Sequence, residues 1–364
     1  MLKKFLLLLI TCFLMCGCSN QTAYEEITFS SWGSQTEVEI IKKVISEFER
    51  ENPDTKIRFL HIPQNYFQKL HLLIASNQAP DVIFINNLYL PIYQNYLEDL
   101  TSIVDVNDYY ESSIKGFSFD NKLLAVPRDI STLVLYMNLE GMTLPSPTWN
   151  IQDLINYAQK YKAKGLYGIS HEDKIYWITP YLSYFGGEIL DSNLNLAINS
   201  SESKVALNFY KDLQKIHFLA PTKSQVGSLT QAQMFIDGKI GMYLSGRWMY
   251  PKIKEKAEFD WAVINFPYGK SPQLSDSSGW AITKGSKNKE ISKKFVKYLA
   301  SKRTADYFVQ TGLIVPARKD SSRALDSTKY NEKVFLEILS KTVNTPVSSN
   351  YNKIIDNINQ RLEL

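Results

Sequence analysis

The residues best suited to chemistry gather between Gln231 and Tyr250, where Arg247 and Trp248 follow Ser245-Gly246 directly. Ala232, Phe235 and Ile236 recur at helical spacing, Asp237-Gly238 interrupts them, and Ile240, Met242 and Leu244 then alternate as a strand does. The spacing therefore predicts a strand that empties onto a helix running from Arg247 through Ile253, with Ser245 as N-cap and Gly246 leaving room for a ligand. Open α/β sheets bind small molecules at such points, because free amide groups and a partial positive charge face the cleft. Trp248 adds a flat stacking surface there. Machinery for making bonds is harder to find: His61, His71, His171 and His217 are scattered, and neither a zinc-protease helix, a nucleophile elbow nor a phosphate loop occurs. Binding without chemistry is the expectation, with no enzyme activity, no cofactor and no metal.

The elements that must carry this stretch begin with a leader. Lys3 and Lys4 precede an apolar run from Phe5 through Leu14, about half of the ~20 residues a spanning helix needs, so residues 1–17 read as a signal peptide. Leu14-Met15-Cys16-Gly17-Cys18 reads as a lipobox, with Cys18 the lipid-modified N-terminus and residues 18–25 a polar tether. All three cysteines lie in this segment, so the exported part has none to pair. Net charge is +4, too weak an excess to argue for nucleic acid.

About 345 residues remain, more than one core supports, and two lobes are expected. Strands at Ile27 to Trp32, Lys56 to Ile62 and Asp81 to Asn86 alternate with amphipathic helices from about Thr36 to Glu51 and Tyr66 to Ser76. The third strand is apolar throughout, as in a parallel sheet covered on both faces. The predicted division gives residues 26–130 and 261–316 to lobe I and 131–260 and 317–364 to lobe II, with a hinge near Ile130 to Leu133 and Trp261 to Phe266 as the strand returning to lobe I.

In motif order the chain resembles the family 1 extracellular solute-binding proteins, the maltose-binding-protein-like sugar receptors of bacterial ABC importers. Their pattern F-x-x-G-K-x-A-M-x-x-x-G-x-W is filled by Phe235, Gly238, Lys239, Met242, Gly246 and Trp248, with Gly241 in place of Ala. Phe48 to Pro53, Ala79-Pro80-Asp81-Val82, Tyr136-Met137-Asn138, Pro145 to Trp149, Ser277 to Ile282 and Gly312 to Arg318 match further steps. The resemblance implies a periplasmic-binding-protein-like α/β fold of two lobes joined by hinge crossovers, with a ligand cleft between them. It implies a monomeric, extracytoplasmic lipoprotein, held at the membrane through Cys18, that delivers a carbohydrate to ABC permease subunits.

A sugar offers apolar C–H faces and a rim of hydroxyls, so its site needs aromatic planes with carboxylates, amides and guanidinium groups at strand ends. By that rule the candidates are Trp32, Gln35, Asn86, Asn87, Arg128, Asp129, Trp177, Arg247, Trp248, Trp280 and Arg318. Trp149 and Trp261 are assigned to structure, one at a helix entry and one starting an interior strand. Three alternatives stay open. Paired carboxylates would make the chain a carbohydrate-active hydrolase, and Tyr109-Tyr110 would suit a ferric ion. A polyamine would need several acids, whereas the candidates set three arginines against one aspartate.

Overall fold

A computed structural model of the protein describes residues 24–325 and 329–362. The leader, the lipobox and Cys18 lie outside the described residues, and among those described no helix is long and apolar enough to cross a membrane.

The first sheet is opened by β1 (Glu25–Ser31), so the last residue given to the tether already belongs to a strand. Helix Gln35–Glu51 follows, started by Ser34, whose side chain accepts from the Glu37 amide. Its Val38, Ile41, Val44, Ile45 and Phe48 face the core at helical spacing. β2 (Thr55–His61), helix Tyr66–Ala75 and β3 (Val82–Asn86) complete two parallel βαβ steps, with β1 between β2 and β3. The short hairpin β4 (Ser118–Phe119) and β5 (Lys122–Leu123) leads to β6 (Val126–Ser131).

Only Thr132-Leu133 separates β6 from β7 (Val134–Asn138), which belongs to a second sheet. There β8 (Tyr167–Ile169) lies parallel to β9 (Ile240–Ser245), β9 antiparallel to β7, and β7 antiparallel to β10 (Trp261–Ile264). The chain then returns along β11 (Gln273–Ile282), which pairs antiparallel with both β3 and β6 in the first sheet. Two adjacent strands, β6 and β11, thus carry the passages between lobes, and β12 (Thr342–Asn344) lies parallel on the outer half of β11.

Two boundaries differ from the sequence reading. Trp261–Ile264 does not return to lobe I: it pairs with β7 across four residues, and Trp261 stacks on Tyr330 at 4.1 Å. Four apolar residues announce a strand without saying which sheet receives it. Residues 317–364 do not belong to lobe II as a block either. Ala317 exchanges backbone hydrogen bonds with Arg128 and Tyr110, and β12 joins the first sheet. The terminal helix Tyr351–Leu362 is the part that packs on helix Ile175–Phe185 of lobe II. The edge of β11 has backbone groups to pair, and a strand from the C-terminal segment is what reaches them.

Candidate functional site

Between the lobes lies a cleft of about 470 Å³. Lobe I supplies Trp32, which leaves the end of β1, together with Phe67, Asn86, Leu88 and Tyr89. Trp32 rests at 4.3 Å on Phe84 and edge-on to Tyr66, while Phe67 and Tyr89 stack at 3.4 Å and 11°. Lobe II supplies Tyr176, Arg247, Trp248 and Met249. Trp248 contacts Tyr176 at 6.5 Å, so aromatic surfaces stand on both sides of the opening.

A charge cluster forms the lobe I wall. Arg128, in the middle of β6, donates to Glu37 at 2.8 Å and through Nε to Asp129 at 2.7 Å, with its guanidinium 4.2 Å over Phe84. Burial opposes the Arg128 charge, but Asp129 and Glu37 outweigh it and raise its pKa further. Glu37 is pushed above the carboxylate range by burial, against the pull of Arg128. Asp129 also accepts from the Ser278 amide at 3.1 Å and the Ser131 hydroxyl at 3.3 Å, so both of its oxygens are engaged. On the same face of β11, Asp276 is pushed up to about 6 by burial, although the Thr345 hydroxyl bonded to it at 2.6 Å pulls the other way and Asp129 adds to the rise.

Of the predicted site residues, Trp32, Asn86, Arg128, Asp129, Arg247 and Trp248 line the cleft. Several of these serve the protein first: Asn86 caps the next turn through the Leu88 amide, and Arg247 is buried against Glu332 at 2.8 Å. The other predicted positions stand elsewhere. Trp280 has no exposed surface and packs between Phe29 and Phe84, because on β11 it points to the core face of the sheet. Arg318 pairs with Asp108 and Asp320 over Tyr109 in lobe I, away from the cleft. Gln35 is exposed and bonds to Glu39. Asn87 is buried with its side chain on the Ser277 amide. Trp177 is half-buried against the lobe II core and edge-on to Trp248 at 6.4 Å, outside the cleft lining, where its helix neighbour Tyr176 stands instead.

Ser245 is not the cap. Gly246 holds that position with no side-chain bond, and Arg247–Met249 is a 3₁₀ turn leading into helix Tyr250–Lys256. Outside the predicted set, Glu37, Phe67, Tyr89, Tyr176 and Asp276 also line the cleft, and of these only Tyr89, at the carboxyl end of the third strand, stands where sequence reading expects ligand contacts. A signal existed for Asp276, which stands in the polar run Ser275 to Ser278 inside an otherwise buried strand. Glu37, three residues after Ser34, reads as part of a helix cap. The count of three arginines against one aspartate also fails: two arginines and three carboxylates, Glu37, Asp129 and Asp276, wall the cleft. Tyr109, of the tyrosine pair, is buried beneath Arg318 with its hydroxyl on the Ala300 carbonyl.

Comparison with known proteins gives three concordant findings. Residues 43–335 match the family described as bacterial extracellular solute-binding protein. The galactooligosaccharide-binding protein of Bacillus subtilis (strain 168) is 23% identical over 313 residues, 79% of this chain and 72% of that protein. Among solved structures, an ABC substrate-binding protein from Listeria monocytogenes in complex with cycloalternan superposes with a TM-score of 0.87 at 24% identity, over 93% of both chains. The Thermus thermophilus maltotriose binding protein bound with maltotriose does so with a TM-score of 0.81 at 23% identity, again over 93% of both. This fold is two α/β lobes about a cleft, as the sequence resemblance implies.

Proposed function

The chain belongs to the bacterial extracellular solute-binding proteins, and on that premise we propose that it captures an uncharged sugar or oligosaccharide between its lobes and delivers it to an ABC-type permease. The observation that carries this reading is the cleft's composition. Trp32, Phe67 and Tyr89 face Tyr176 and Trp248, while both arginines are held by carboxylates, Arg128 by Glu37 and Asp129 and Arg247 by Glu332. Flat apolar surfaces suit the C–H faces of a pyranose, and carboxylates held by arginine accept hydroxyl protons without demanding a counter-ion. A uronate or phosphate would meet arginines that each already hold a carboxylate, Arg128 those of Glu37 and Asp129 and Arg247 that of Glu332 through Nη2, with the Asp276 carboxyl close by.

Relatives that bind galactooligosaccharide, cycloalternan and maltotriose support a carbohydrate as the ligand class. The remaining parts of the reading are that the protein does no bond chemistry, that it works as a monomer, and that a lipid on Cys18 holds it outside the cytoplasm. Closure of the lobes about Thr132-Leu133 and β11 would bury the ligand and present one shape to the permease.

Because three carboxylates wall the cleft, a polyamine is the alternative that needs its own measurement. The test is thermal unfolding of the chain from Ser19 onward against neutral mono- and oligosaccharides, uronates, spermidine and ferric citrate. Stabilisation by a neutral sugar is expected; stabilisation by spermidine or ferric citrate alone overturns the ligand class, and degradation of an oligosaccharide during incubation overturns the non-enzymatic reading.

A further inference from the structure

Beside the cleft lies a second, smaller chamber of about 110 Å³. Six aliphatic side chains line it, Leu88 and Leu274 on the lobe I side, Leu133, Ile175 and Ile189 on the lobe II side and Ile355 from the terminal helix, beside the tyrosines Tyr89, Tyr176 and Tyr351. Leu88, Tyr89, Tyr176 and Asp276 belong to the walls of both spaces, so the chamber adjoins the cleft along these four residues. Three polar side chains around it are already used, Thr179 donating to the Tyr176 carbonyl, Thr345 to Asp276 and Asn352 to the Leu88 carbonyl, while the hydroxyls of Tyr89, Tyr176 and Tyr351 have no partner among the described residues. Asp276 is different. It is 5% exposed, and only Oδ1 is paired; its second oxygen has no partner among the described residues.

We propose that this chamber is a second compartment of the binding site and takes a small uncharged substituent carried by the sugar, of the acetamido or acetyl type. The methyl end lies against the aliphatic walls, and Asp276 accepts the amide N–H or a neighbouring hydroxyl. The size agrees, because a dry apolar cavity of roughly 150 Å³ holds benzene and about 110 Å³ therefore suits a group of about four heavy atoms. Charge narrows the class further. An anionic substituent would face Asp276 with Asp129 behind it, and an ammonium would trade its hydration for one carboxylate oxygen and three tyrosines among six aliphatic side chains. Neutral groups with one donor and an apolar end meet neither penalty. The assignment rests on the carbohydrate reading above and adds to it a preference for acylated over plain sugars.

The experiment uses the chain from Ser19 onward with labelled isoleucine methyl groups, titrated with N-methylacetamide and, separately, with methylammonium. Saturable shifts at Ile175 and Ile189 on adding the amide are expected, weakened by about tenfold in Ile355→Phe, which fills the space from the terminal helix. A companion Ile189→Phe variant, read at Ile175, covers the case in which the first does not fold. No shift at these methyls, unchanged amide affinity in the filled variants, or tighter binding of methylammonium overturns the proposal. In parallel, N,N′-diacetylchitobiose is compared with maltotriose by thermal shift on the wild type and the filled variants. An advantage of the acetylated sugar that disappears on filling supports the compartment; an advantage that survives filling overturns it. Saturation of the chamber by the amide with no sugar stabilising the protein overturns the carbohydrate reading instead, so the two failures are separable.

Discussion

Arg128 holds two buried carboxylates that would otherwise have no counter-charge, one from the first helix of lobe I and one from a strand between the lobes. Removing it leaves Glu37 and Asp129 as uncompensated charges, and such losses cost about 3–5 kcal/mol. Arg128→Met should therefore lower the denaturant midpoint strongly, with Arg128→Lys recovering only part, since an ammonium cannot serve both carboxylates with fork geometry. Full recovery by lysine would mean that charge alone matters at this position. Asp276 gives a pH signature. Its carboxyl is raised to about 6 in the folded protein, above its unfolded value, so its contribution to stability is complete below about pH 4 and disappears as the pH rises through about 6. Asp276→Asn removes that slope: relative to the variant, the wild type should lose on the order of 3 kcal/mol between pH 4 and 7, read by urea unfolding at each pH.

The turn after β9 works as a unit. Gly246 has an ordinary φ of −96°, so glycine is not required there for backbone conformation. It is required for space, because a Cβ at this position would run into the Trp248 ring. Gly246→Ala should thus displace Trp248 from the lobe II wall and weaken sugar binding about tenfold or more, together with a loss of stability of about 1–3 kcal/mol. Binding calorimetry beside thermal unfolding separates the two effects, and an unchanged dissociation constant would remove Trp248 from the site. On the opposite lobe, Gly279 lies where the pairing of β11 with β6 shifts register. A Cβ there would meet the Val126 carbonyl oxygen at 2.5 Å, which is backbone and cannot swing away. That close approach fixes how the two interlobe strands lie together.

At the scale of the whole molecule, the two lobes meet along few segments: the passage at Thr132-Leu133, β11, and the C-terminal stretch that touches both. A ligand held by both lobes at 100 times its dissociation constant stabilises the native state by about 2.7 kcal/mol, a shift of several degrees in the midpoint. Small-angle scattering should show the radius of gyration falling when that sugar is added, and not falling for Trp248→Ala at the same concentration. Stabilisation without compaction would mean that the ligand sits on one lobe.

Much of this arrangement is legible in the chain itself. Periodicity locates helix Gln35–Glu51, the apolar strand Val82–Asn86 and the helix-turn-strand ending at Ser245, because those signals depend on neighbours a few residues away. The same local reasoning finds Trp32 at the end of β1 and Trp248 beside a turn, together with Arg128 and Asp129 in the middle of β6. It does not tell the two faces of a buried strand apart, and so it places Trp280 in the cleft when the sheet turns it into the core. Nor does it tell adjacent positions on an aromatic helix apart, which is why Tyr176 replaces Trp177. Glu37, Asp276, the pairing of Arg247 with Glu332 and the capture of Arg318 by Asp108 depend on contacts across 69 to 210 residues. Local sequence determines which elements form and where ligand-facing ends fall; which charges meet and which rings reach the cleft is decided when those elements pack, because pairing and burial are properties of the assembled sheets.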